Sequence, residues 1–101
     1  MSSKAEILQG LANVGFEKEH LEREIKAAED YTKHIAQQKM DKQAIVYGSY
    51  DQATKDAAQK DYDYYCDILS DLLDKAIDRE RRMQELRDEE RRLSMMLRSA
   101  R

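Results

Sequence analysis

From Ala58 to Ala100, steps of alternately four and three residues land on Ala58, Tyr62, Tyr65, Leu69, Leu72, Ala76, Arg79, Met83, Leu86, Glu90, Leu93, Leu97 and Ala100. Only Arg79 and Glu90 interrupt this apolar stripe, and a spacing sustained so long predicts a helix with a narrow seam turned toward a second helix. A matching stripe comes earlier, as Ile7, Leu11, Val14, Leu21, Ile25, Ala28, Thr32 and Ile35. Lys18 occupies one of its positions, and Lys39 and Lys42 continue it with charge instead of hydrocarbon.

The strongest punctuation between the stripes is Val46-Tyr47-Gly48-Ser49-Tyr50-Asp51. A left-handed Gly48 would end the first helix, and Ser49 followed by Gln52 has the capping-box spacing that opens a second, with Asp51 adding charge to its first turn. At the start, Ser2 or Ser3 is the candidate N-cap, with Glu6 in capping-box position to Ser3. Gly15 leaves two readings open, a continuous helix or a break near 13–18, and a straight helix would point Phe16 away from the seam. The expected organisation is one domain: helix 3–46, turn 47–50, helix 51–100. The fold class is all-α, an αα-hairpin coiled coil of two long antiparallel helices.

Pairing residues whose numbers sum to 97 sets Ile35 against Tyr62, Ala28 against Leu69, Ile25 against Leu72 and Leu11 against Leu86. On one flank Glu17 then meets Arg82 and Glu24 meets Lys75, the pairs expected to select the register. This alignment also places Lys18 opposite Arg79, an unfavourable like-charge layer. Sliding by one heptad, to a sum of 104, separates those two but sets Glu17 against Glu89 and Ile25 against Arg79. The first register is therefore the expected one.

In that register the second helix runs past the first, leaving Leu93, Met96 and Leu97 without an internal partner. Its middle is also wider than one helix can cover, because Tyr64, Ile68, Leu73 and Ile77 lie outside the stripe. These two groups are the candidate partner-binding residues. They imply assembly, either as a homodimer forming a four-helix bundle or as a subunit of a larger complex. A crossed antiparallel dimer of the tails, with numbers summing to 169, competes for the same seam and would give Arg79 an acidic neighbour, Glu90.

Composition changes this picture little. With 39% charged residues among 101, one Phe, no Trp and no Pro, the chain has little with which to fill a globular core and little to interrupt a helix. The net charge of -3 hides a division: Met1 to Asp78 carries ten basic and sixteen acidic residues, whereas Arg79 to Arg101 carries eight arginines and five acids. An arginine-rich end suggests an alternative function, a small dimeric nucleic-acid-binding hairpin contacting phosphate through Arg91, Arg92, Arg98 and Arg101. Interleaved acids such as Glu85, Asp88 and Glu89 favour a self-neutralising helix instead.

No nucleophile stands with a base, and no Gly-rich phosphate loop occurs. Glu17 and His20 have the spacing of a di-iron half-motif, but only once. The aspartates between Asp61 and Asp78 lack the glycine-centred loop of a calcium site. The chain is therefore expected to be non-enzymatic, without catalytic residues, metal, cofactor or small-molecule substrate. Cys66, the single cysteine, and the lack of a long apolar run fit a soluble cytoplasmic protein without a membrane segment. The expected function is protein association, as an adaptor, assembly subunit or small chaperone.

Overall fold

The computed structural model describes residues 3–100. Two α-helices, α1 (Lys4–Val46) and α2 (Gln52–Ser99), form a helical hairpin, with no strand among the described residues. Ser3 caps α1: the Glu6 amide donates to Ser3 Oγ at 3.2 Å, and the Ile7 amide donates to the Ser3 carbonyl at 3.0 Å. The other candidate cap, Ser2, lies outside the described residues.

Helix α1 runs through Gly15 without a break, and Phe16 is exposed as a straight helix requires. Nothing lies within 4 Å of where a Gly15 side chain would begin. Gly15→Ala is therefore expected to stabilise the chain by about 0.5–1 kcal/mol, through the backbone entropy that glycine loses on folding. Denaturant unfolding measures this, and a loss of stability would mean that the helix does not pass straight through Gly15.

The turn differs from expectation at two residues. No glycine has a positive φ, so Gly48 is not a left-handed cap. Its role is steric: a Cβ there would lie 2.8 Å from the Ala44 carbonyl oxygen and 2.8 Å from the Tyr50 ring. The cap of α2 is Asp51 and not Ser49, because the helix starts at Gln52: the Lys55 amide donates to the Asp51 carbonyl at 3.0 Å and the Thr54 amide to Asp51 Oδ1 at 3.1 Å. An aspartate here satisfies an amide that the helix leaves free and also carries charge suited to the dipole.

Hydrogen bonds from the Thr54 side chain and then its backbone amide hold the Asp51 carboxyl below the usual aspartate range. Because the folded value lies below the unfolded one, this group's stabilisation is present above the ordinary aspartate pKa and is lost as pH falls through the depressed value. Acidification is thus expected to fray the start of α2 first, read as lower amide-exchange protection, relative to the intrinsic rate at each pH, at residues 54 and 55, whereas Asp51→Asn should remove that pH dependence and keep the cap.

The chain divides into two units, Lys26–Ala76 and the paired helix ends up to Ile25 and from Ile77. In the paired ends, Ile7, Val14, Leu21, Met83, Leu86 and Leu93 form one buried cluster, with Leu11, Ile25, Met96, Leu97 and Ala100 packed on it. A Cβ on Gly10 would sit 3.2 Å from Leu93 Cδ1, so glycine lets α2 approach closely there. Within Lys26–Ala76 only Ile35 and Ala58 are buried, and the seam residues Tyr62, Tyr65, Leu69 and Leu72 are only half-buried. Thr32 turns its hydroxyl back to the Ala28 carbonyl at 2.7 Å, which satisfies it locally in the seam.

The register expected from the stripes is one heptad off. Gly10 with Leu93, Glu24 with Arg79 and Lys42 with Asp61 each sum to 103, close to the alternative value of 104. Lys18 does not face Arg79 but donates to Glu90 Oε2 at 3.1 Å. Arg79 reaches Glu24, with Nε 3.8 Å from Oε2. Both interruptions of the second stripe, Arg79 and Glu90, thus find partners of opposite charge on α1.

Candidate protein-association surface

Helical rotation of 100° per residue separates the widened middle of α2 into two flanks of the seam. Tyr64 and Ile68 lie on one side, and Cys66 and Leu73 on the other. Tyr64 is 63% exposed and Leu73 62% exposed, while Ile68 and Cys66 are half-buried. The Tyr64 ring is tilted against that of Tyr65, with centroids 5.8 Å apart. Ile77 is also exposed.

On α1, Tyr31 immediately precedes the seam residue Thr32, just as Asp61 and Ile68 precede Tyr62 and Leu69. In antiparallel helices the positions before each such seam residue share one flank. The Lys42 ammonium meets Asp61 Oδ2 at 3.2 Å on this flank, so Tyr31, Tyr64 and Ile68 belong to one face of Lys26–Ala76. The opposite flank carries a shallow groove lined by Gln43, Val46, Tyr47, Gln59 and Tyr62. There the Lys39 ammonium lies 5.5 Å from the Tyr62 ring centroid, and a hydrogen bond with Cys66 raises the Tyr62 phenol above its ordinary range.

The second group of expected contacts does not form a free surface. Leu93 is 7% exposed, inside the buried cluster, and Met96 and Leu97 pack on that cluster. The one-heptad shift extends α1 alongside the end of α2, so the overhang inferred from the other register does not exist. Met83, Leu86 and Leu93 are already covered by α1, and a crossed-tail dimer would have to displace it. Among the described residues, the exposed apolar side chains not singled out as contacts include Leu8, Phe16, Met40 and Met95 on the helices, each off the seam, together with Tyr31 and the turn tyrosines Tyr47 and Tyr50.

Of the two expected register-setting pairs, Glu17 with Arg82 forms. Arg82 also donates to Glu85, and bonds to Glu85 and then Glu17 raise its pKa further above the ordinary arginine range. Glu24 pairs with Arg79 and not Lys75, and its other oxygen lies 3.0 Å from His20 Nε2. Glu89 pairs with Arg92 on its own helix, and that hydrogen bond holds the Glu89 carboxyl below its ordinary range. Each of the two carboxylates whose like charge counted against the 104 register, Glu17 and Glu89, thus has an arginine partner.

Among the candidate nucleic-acid contacts, Arg91 lies 3.8 Å from Asp88 and Arg92 is bonded to Glu89. Arg98 is exposed, and Arg101 lies outside the described residues. Among the described residues no group of three or more His, Cys, Asp and Glu side chains is placed to hold a metal ion, and no helix is long and apolar enough to cross a membrane. No protein-family model, curated protein or solved structure matches the chain.

Proposed function

We propose that this chain is a non-enzymatic helical-hairpin module that acts in the cytoplasm by protein association, as an adaptor, assembly subunit or small chaperone. One observation carries the reading: Lys26–Ala76 leaves Tyr62, Tyr65, Leu69 and Leu72 half-buried in its own seam while Tyr31, Tyr64 and Leu73 stand exposed beside it. Tyrosine and leucine faces of this kind gain apolar burial and lose little side-chain entropy when another protein covers them. The arginines of α2 offer less to a phosphate backbone, since Arg81, Arg82, Arg91 and Arg92 all have carboxylates beside them.

The test is photocrosslinking in the native cells with a benzophenone side chain at position 64 or 73, and at the charged position 88 for comparison. Discrete protein adducts from 64 or 73, absent from 88, are the expected result. No adduct from either position would overturn the reading. A salt-sensitive shift with RNA or DNA, lost when Arg91 and Arg92 become Glu, would replace it with nucleic-acid binding.

A further inference from the structure

Resting on that association reading, we infer that one flank of the paired helix ends, where Leu8, Ala12 and Gly15 of α1 lie beside Arg87, Arg91 and Arg98 of α2, docks an acidic amphipathic helix of a partner protein. Ile7, Val14, Leu86 and Leu93 belong to one buried cluster, and each precedes a four-residue step of its stripe. In antiparallel helices the residues one and five places after such positions share a flank. The six residues named hold those places, with Glu19 and Ser94 completing the set. Leu8, Ala12 and the three arginines are exposed, and nothing lies within 4 Å of where a Gly15 side chain would begin. From Ile7 to Phe16 the chain carries no charged residue, so this part of α1 offers hydrocarbon and no carboxylate until Glu19 closes the strip.

Charge identifies the occupant. The other flank of the paired ends gathers acids that are already matched, Glu17 and Glu85 to Arg82, Glu24 to Arg79 and Glu89 to Arg92. On this flank Arg91 lies 3.8 Å from Asp88, and Arg87 and Arg98 have no ion-pair partner among the described residues. Asp88 itself is on the back of α2, opposite Leu86, so position 88 stays outside the contact. Three arginines with one distant acid between them call for carboxylates or phosphates.

Shape decides between these. Ala12 and Gly15 barely project, whereas arginine side chains reach well beyond them, so the flank is a step with an apolar floor on α1 and a basic wall on α2. A helix with apolar residues on one side and carboxylates on the adjacent side fits such a step. A lipid surface requires apolar side chains that project further than the basic ones, and a sugar-phosphate backbone leaves the floor unused. At 1.5 Å per residue Arg87 to Arg98 spans about 16 Å, so roughly three turns of a partner helix cover it.

Photocrosslinking in the native cells from a benzophenone side chain at position 8 or 12, with the crosslinked segment mapped by mass spectrometry, tests the inference. The expected adduct is a protein segment with acidic residues three or four apart beside apolar ones. That segment, made as a synthetic peptide, should bind the purified full chain. The combined variant Arg87→Glu, Arg91→Glu should weaken this binding roughly tenfold or more while circular dichroism stays helical. Changing the peptide's acids to lysine should restore binding to that variant. Lys33→Glu with Lys60→Glu makes the same change in net charge within Lys26–Ala76 and should leave the affinity within about twofold. An adduct to phospholipid, to nucleic acid or to a second copy of this chain would overturn the inference. So would a mapped segment without acids, or equal weakening by the two pairs of substitutions. Protein adducts at position 64 or 73 with none at 8 or 12 would sink the acidic helix and leave the association reading standing.

Discussion

Leu86→Ala is expected to lower unfolding free energy by about 2–4 kcal/mol, the range for truncating a buried leucine whose neighbours close only partly around the gap. Leu86 is 4% exposed and packs in the cluster of Ile7, Val14, Leu21, Met83 and Leu93. Two packed helices hold few such residues, so the loss is a large part of a total stability of about 5–15 kcal/mol. The corresponding fall in melting temperature is roughly 10–30 °C. Leu73→Ala is the matched control: the same atoms are removed from a side chain already in water, and the change should stay within about 0.5 kcal/mol. Both should be measured at one fixed protein concentration, so that any mass-action contribution to apparent stability is the same in each. Equal costs at the two positions would contradict the assignment of core and surface.

Lys18→Glu is expected to destabilise by about 1–2 kcal/mol, since it removes an ion pair in the seam and sets two carboxylates in its place. Lys18 keeps 24% of its side chain exposed and Glu90 43%, so solvent screens part of the effect. Exchanging the charges, with Lys18→Glu and Glu90→Lys in one chain, should recover most of the loss, and the double-mutant cycle should show coupling between these residues and none between Lys18 and Arg79. The sign separates the two registers. If Lys18 faced Arg79, Lys18→Glu would stabilise the chain.

Local chemistry was readable where the deciding atoms are close in sequence. Ser3 as a cap, the turn at Gly48, and the continuous stripes that form α1 and α2 all rest on contacts within a few residues. Even there Asp51 and Ser49 compete for one cap, and the choice depends on where the first helical hydrogen bond forms. The widened face at Tyr64, Ile68 and Leu73 was legible because these residues depart from a fixed period. Its division into two flanks follows from helical rotation, and the shared flank of Tyr31 and Ile68 from antiparallel heptad positions; which residues of α1 lie level with them required the register. The supposed binding surface at Leu93, Met96 and Leu97 depended entirely on the register and vanished with it.

By itself the sequence determined the helices, their seams and the turn, because 3.6-residue periodicity and the lack of proline act along a single chain. Register could not be settled that way. Apolar positions recur every seven residues, so sliding one helix by a heptad keeps hydrocarbon against hydrocarbon at most layers and changes little in burial. Only the tertiary structure decided it, through the reach of long side chains across the seam. Lys18 finds Glu90, Arg79 finds Glu24, Glu89 turns to Arg92, and Gly10 leaves room for Leu93. Those contacts join residues far apart in the chain, and they place the exposed apolar surface on Lys26–Ala76 and not at the end of α2.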